Sequence, residues 1–367
     1  MNSGLRPGNL LLKFGSGFLA LTSFAGHSWA QATPAVAQVS VSQGETIDAI
    51  NADYLKSLDA LEVQRMGRLA KLAENAQGEV SEKAYIALFQ AALSSGHYQA
   101  AEPSAERLIK TGHSSSTIRY LAEVTNILSE CDRGAYDDSL TSITRAIKAA
   151  QQIDPNEKQA SSLVLPRNTR LSILETYYQK LVQAGQFEVA RKAFQAVSEG
   201  SPDPAIREYA AGRFDRMGRI GKPAPEMVGT DLDNKPFRLA DLKGKAVLIV
   251  FWASWCVPSG PEAEMLFQLN KSYKDQGLQI VGVNLDSLSD GGGDPAAVLS
   301  DIKRFLVEHN VPFPNLVNGE GAADYAKAFG VSDIPANFLV GRDGTIQNVD
   351  MTPANIDGAI RNALNVK

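Results

Sequence analysis

Cysteine is nearly absent from this chain: Cys131 and Cys256 are the only two in 367 residues. Two thiols exclude a disulfide framework, so each is either a reagent or a core filler. Histidine is scarce as well. His27, His97, His113 and His309 are scattered, with no cysteine or carboxylate at ligand spacing, and neither a metal site nor a cofactor is expected. Basic charge is in deficit, with 36 Lys and Arg against 41 Asp and Glu for a net charge of −5. Without a basic stripe to neutralise phosphates, nucleic acid is not an expected partner. Gly291-Gly292-Gly293 lacks the lysine of a phosphate loop. The nearby Asp286, Asp290 and Asp294 lack the closing glutamate of a calcium loop.

Long apolar runs are missing too. The apolar stretch Phe14 to Phe24 falls well short of the ~20 residues a spanning helix needs. Arg6 and Lys13 supply positive charge there, and Ser28-Trp29-Ala30 or Ala30-Gln31-Ala32 offers a small-x-small cleavage site. Residues 1–32 therefore read as an export signal. The expected location is exported, periplasmic or extracytoplasmic, with an N-terminal membrane anchor as the alternative. No cysteine lies at the cleavage site to carry a lipid. Export would put Cys131 and Cys256 in a compartment that permits disulfides.

What is present divides in two. At 367 residues with 44% hydrophobic content, two packed domains are expected. Residues 33–44 are small and polar and read as a linker. From 45 to 217, Ala, Leu, Glu, Lys and Arg dominate, with apolar residues at three- and four-residue spacing, so this domain is expected to be all-α. Gly96-His97-Tyr98, Gly134-Ala135-Tyr136 and Gly185-Gln186-Phe187 each precede a helix rich in small residues. Glycine lets two helices turn tightly, the aromatic fills the gap, and alanine permits close approach. The pattern resembles tetratricopeptide repeats. It departs from them in its irregular spacing and in Phe89 and Tyr178, where that family keeps small side chains. A non-repetitive helical bundle is the alternative, and a protein partner for the helices is implied by the resemblance.

Gly221-Lys222-Pro223-Ala224-Pro225 breaks the helical pattern, and the period changes over residues 220–367. Met227 to Gly229 and Pro236 to Arg238 flank a turn. Ala246 to Trp252 is a continuous apolar strand of the doubly covered type. A helix from Pro258 to Gln276 follows, then a strand from Gln279 to Leu285 and helices at 295–309 and 322–329. Asn337 to Val340 and Thr345 to Asp350 flank an Asp343-Gly344 hairpin turn, and a last helix covers 353–364.

The apolar strand runs into Trp252-Ala253-Ser254-Trp255-Cys256-Val257-Pro258-Ser259, with Glu262 beyond. This resembles the thioredoxin-like active site of the TlpA/ResA branch, which usually reads W-C-x-P-C-x-x-E. The resemblance covers essentially all of residues 220–367 and implies an α/β thioredoxin fold behind the all-α, tetratricopeptide-like region. Trp255, Cys256, Pro258 and Glu262 match the motif, but Ser259 stands where the second cysteine belongs. In the family, the first cysteine attacks a substrate disulfide and the second resolves the mixed disulfide. Cys256 is thus the expected nucleophile. A thiol before a helix start ionises below the ~8.5 of a free one. Ser259 can donate a hydrogen bond to that thiolate but cannot resolve the adduct, since its hydroxyl does not ionise near neutral pH.

The resemblance further implies a cis proline at Pro335 facing the cysteine, with Ile334, Trp255 and Pro258 forming the groove for an extended substrate. Threonine often follows that proline in the family; here it is Ala336. Glu262 would influence thiol acidity and proton movement, unless it is an ordinary exposed helix glutamate. The implied function is thiol–disulfide exchange with one active-site cysteine (C-x-x-S). It would act on exported protein thiols or disulfides, with a small thiol or a protein reductant resolving the adduct. The alternative is a non-catalytic binding or scaffold protein on a redox-inactive thioredoxin fold. Peroxidase chemistry is disfavoured, because Ile249 and Ala253 stand where a peroxiredoxin needs proline and a hydroxyl residue. Cys131, between Glu130 and Asp132, sits beside negative charge that raises a thiol pKa, and is expected to be a bystander. A resolving role towards Cys256 is the alternative.

Overall fold

The computed structural model describes residues 46–112, 115–151, 166–256, 259–288, 295–319 and 321–366. The expected export signal and linker lie outside them.

Among the described residues, the N-terminal region is all-α: α1 (Ile47–Asn75), α2 (Gly78–Ser95), α3 (Tyr98–Thr111), α4 (Ser116–Asp132), α5 (Tyr136–Gln151), α6 (Arg167–Gln183), α7 (Phe187–Gly200) and α8 (Pro204–Met217). Three pairs, α2/α3, α4/α5 and α6/α7, are joined by tight turns at Gly96, Gly134 and Gly185, with φ of 80°, 76° and 68°. These left-handed values strain any residue with a Cβ, which is why glycine stands there. The next helix starts at or beside the aromatic residue in each case. Alanines 101, 105, 146, 190 and 193 are buried where the helices approach. Phe89 and Tyr178, the bulky departures from the repeat pattern, are both wholly buried.

The C-terminal region is a thioredoxin fold. A small antiparallel hairpin, β1 (Val228–Thr230) with β2 (Pro236–Arg238), precedes the main sheet. The sheet holds β3 (Ala246–Trp252), β4 (Leu278–Asn284), β5 (Asn315–Val317), β6 (Ala336–Val340) and β7 (Ile346–Val349) in the order β5-β4-β3-β6-β7. β3, β4 and β5 run parallel, while β6 and β7 are antiparallel to their neighbours. All seven residues of central β3 are buried, because both faces are covered. The helices are α9 (Ser259–Tyr273), α10 (Pro295–Glu308), α11 (Tyr325–Phe329) and α12 (Ile356–Leu364). β5 was not expected from sequence; it completes the parallel edge of the sheet.

Side chains on one face of the sheet (Leu248, Val250, Ile280, Leu339) pack with Leu266 and Leu269 of α9 and with Ile356 and Ile360 of α12. The other face (Ile249, Phe251, Phe338) shares a continuous core with Phe329 of α11 and with Tyr178, Phe194, Tyr209 and Met217 of the helical region. The two regions are therefore packed together on an apolar face.

Gly282 in β4 shows how tightly the sheet packs beneath the site. A Cβ there would collide with the Asn315 side chain and lie 3.0 Å from Nε1 of Trp252, which donates to Asn315 Oδ1 at 3.0 Å. Gly282→Ala is expected to destabilise the fold by about 1–3 kcal/mol, as overpacking does. The check is a lower urea midpoint with an unchanged slope.

Candidate active site

The site forms at the carboxyl ends of β3 and β4, where open α/β sheets place their reactive loops. After Trp252 the chain turns through Ala253–Cys256, with the Cys256 amide donating to Ala253 O at 3.1 Å. Ser254 N–H donates to Asp286 Oδ1 at 2.8 Å, and Leu285 N–H to Trp252 O at 2.8 Å. These bonds fasten the loop after β3 to the loop after β4. Cys256 is half-buried and not in a disulfide. Trp255 next to it is 41% exposed, an unusual position for an indole and one suited to contact with a partner.

Ser259 opens α9, three residues past Cys256. Its side chain, and all of Pro258, lie outside the described part of the chain. Ile334-Pro335 is a cis peptide. Register pairs Phe251 with Ala336, so Pro335 enters the sheet beside the end of β3 from which the Cys256 loop leaves. Ile334 is half-buried and packs on the shared core.

Glu262 lies in the first turn of α9. It lines a small cavity with Trp252, Ala263, Phe305, Phe313 and Asn315. A helix N-terminus favours the carboxylate, yet burial wins and pushes the carboxyl up to about 7. Glu262 is thus not the ordinary exposed glutamate that the sequence left open. The sign of the linkage is definite. A carboxyl raised from 4.5 to about 7 in the fold leaves stability fully present below pH 4.5 and removes it as pH rises through 7. The full shift corresponds to about 3 kcal/mol, or about 2 kcal/mol allowing for the solvent contact Glu262 keeps. Between pH 5 and pH 8.5, Glu262→Gln should remove a loss of about that size from the urea-unfolding free energy.

Cys131 sits in the last turn of α4, and its thiol pKa is pushed up to about 11. The principal cause is burial, with the adjacent Asp132 and Glu130 adding less than the sequence suggested. Ser139 and Lys180 pull the other way. The thiol belongs to the helical core with Tyr177 and Leu181.

Sequence reasoning missed a cluster of charges where α8 meets the loop before Pro335. Arg216 is 0% exposed, and its Nη1 donates to Asp333 Oδ1 at 2.9 Å while Nε donates to Asp350 Oδ2 at 2.9 Å. Arg213 Nη2 lies 2.9 Å from both Asp333 Oδ2 and Glu175 Oε2. Tyr178 donates its hydroxyl to Asp350 Oδ2 at 2.8 Å, and Tyr209 donates to Glu175. Burial lowers the Arg213 pKa, but Asp333, Glu175 and Asp350 more than offset it, so the guanidinium stays charged.

Known proteins resemble the C-terminal region in sequence. Residues 220–349 match the AhpC/TSA family. The thiol-disulfide oxidoreductase ResA of Bacillus anthracis is 33% identical over 128 residues, which is 35% of this chain and 67% of that protein. The chain belongs to the ResA-like thiol–disulfide oxidoreductase family. The ResA of Bacillus thuringiensis subsp. konkukian (strain 97-27) is 34% identical over 127 residues, covering 35% of this chain and 66% of the relative. The chain thus spans about two thirds of the length of the ResA proteins it matches. A thioredoxin-family thiol:disulfide interchange protein of known structure from Chlorobium tepidum TLS is 26% identical. That alignment has a TM-score of 0.33 and covers 39% of this chain and 95% of the other. All of these matches cover well under half of this ResA-like chain, and the family match falls on the region that carries Cys256 and Pro335.

Proposed function

We propose that this ResA-like protein is an exported thiol–disulfide exchange protein that works with a single active-site thiol. The observation that carries the reading is the placement of Cys256 just past the carboxyl end of β3, with Pro335 entering β6 beside that end of the strand. The Cys256 thiolate attacks one sulfur of a substrate disulfide. A new S–S bond forms to Cys256, the substrate S–S bond breaks, and the departing sulfur leaves as a thiolate that takes a proton from solvent. A second thiol, from a small molecule or a protein reductant, then attacks the mixed disulfide, becomes disulfide-bonded to the substrate sulfur and releases the Cys256 thiolate. Ile334 and Pro335 supply the substrate platform, and Trp255 and Pro258 are the further groove residues of this reading. Glu262, with its carboxyl near neutral pKa, is suited to hold or release a proton close by. The substrates are exported protein thiols or disulfides, and the helical region recruits a protein partner.

Export accords with the N-terminal signal pattern, and among the described residues no helix is long and apolar enough to cross a membrane. The test is to incubate the protein with a disulfide-linked peptide dimer and weigh the products intact. One peptide added per chain, lost on thiol addition and absent in Cys256→Ser, is the expected result. No adduct would favour a redox-inactive binding module.

A further inference from the structure

The loop that carries Pro335 is not held by the thioredoxin domain alone. Asp333, two residues before Pro335, presents one carboxylate oxygen to Arg216 and the other to Arg213, each at 2.9 Å. Both arginines belong to α8 of the helical region, and both side chains are almost wholly buried. They also reach Asp350 at the end of β7, through Arg216 Nε at 2.9 Å and Arg213 Nη1 at 3.5 Å. The Asp350 amide donates to Asn337 O at 2.8 Å in β6, directly beyond Pro335 and Ala336. The same two guanidiniums therefore hold Asp333 before Pro335 directly and reach Asn337 beyond it through Asp350. The Arg213 guanidinium is itself fixed over the rings of Tyr178 and Tyr209, at 5.0 and 4.9 Å.

Backbone approach adds a second restraint. A Cβ added at Gly212 of α8 would lie 3.0 Å from Ser332 Oγ, so the helix and the loop are in direct contact there. Ser332 Oγ also donates to Asp333 Oδ1 at 3.1 Å.

Two buried cations facing three carboxylates add little net stability over an apolar interface of the same size, because desolvation offsets the attraction. What directional charge-assisted bonds supply is one fixed geometry. We propose that α8, through Arg213 and Arg216 acting on Asp333, positions the Gly330–Pro335 loop, so that the helical region shapes the surface on which an extended disulfide substrate lies. This rests on the exchange reading above and adds positioning residues to it. Arg213, Arg216, Asp333 and Gly212 are assigned as positioning residues that act through the loop.

The test compares two disulfides on the full chain: a disulfide-linked peptide dimer, which needs the platform, and the small aromatic disulfide 5,5′-dithiobis(2-nitrobenzoate), which needs only the thiol. Asp333→Asn and Gly212→Leu are each expected to lower the peptide rate by about tenfold, as for loss of one charge-assisted bond, with the aromatic disulfide rate unchanged. Gly212→Ala should show a smaller loss, restored by Ser332→Ala, which removes the crowded oxygen. Peptide and aromatic rates that stay equal to wild type, or that fall together, would overturn the proposal. Should wild type react with neither disulfide, the exchange reading fails by itself. The positioning is then judged by amide hydrogen exchange over residues 331–338. Faster exchange in Asp333→Asn supports it, and unchanged exchange overturns it.

Discussion

If the single-thiol reading holds, Ser259→Cys is expected to turn over disulfide substrates without the external resolving thiol that the natural chain requires. In the proposed cycle, with Ser259 in place, the mixed disulfide at Cys256 waits for an external thiol. A cysteine at the first position of α9 would sit three residues from Cys256, at the spacing the motif provides. The introduced thiol would attack the Cys256 sulfur within the same molecule, closing a disulfide with it and expelling the substrate as a thiol. Intramolecular attack enjoys effective concentrations far above the millimolar level of a free thiol, so net reduction per turnover should rise by about 100-fold or more. Insulin reduction with dithiothreitol as electron donor reads this directly. No gain in a folded variant would mean that the groove no longer accepts disulfides.

Arg216→Leu is expected to be the most damaging single substitution in the interface. Arg216 is wholly buried, and its removal leaves Asp333 short of one partner and Asp350 buried without its closest cation. Breaking one side of a buried ion cluster typically costs about 3–5 kcal/mol. The partner that remains, Arg213 at 3.5 Å from Asp350, compensates poorly at that distance. An exposed pair gives the contrast. Arg65→Ala, which loses the Glu62 contact on the surface of α1, should cost about 1 kcal/mol or less. Urea unfolding of the two variants side by side checks both figures, with the slope confirming that the folded states remain comparable.

Where the sequence was legible, a local pattern coincided with the tertiary environment. β3 is apolar at all seven positions because it is covered on both faces, so its composition alone marks it as central. The turns at Gly96, Gly134 and Gly185 were visible because left-handed backbone needs glycine there. Asn315–Val317 was not legible: three residues with a leading asparagine make a strand only because β4 offers its edge. Asn315 is there for its side chain, which accepts from Trp252. For Cys131 the sequence showed the lesser cause of its raised pKa, Asp132 and Glu130, and not the principal one, because neighbouring charges can be read in a sequence and burial cannot.

The interface cluster was the least legible feature. Arg213, Arg216, Asp333 and Asp350 look like solvated surface charges in sequence, and the fold brings them together across more than a hundred residues. One trace was present. Tyr178 stands where the tetratricopeptide-like reading expected a small side chain, and its hydroxyl is the group that reaches Asp350. That unexpected bulky residue thus lies where the two regions join.

The proposed exchange chemistry depends most on Cys256 as a poised nucleophile. The most direct measurement is its alkylation rate by iodoacetamide against pH, in a Cys131→Ala background so that one thiol is followed. An apparent pKa well below the ~8.5 of a free thiol is the predicted result. A rate that rises only at or above that value, or a thiol that does not react in the folded protein, would contradict it.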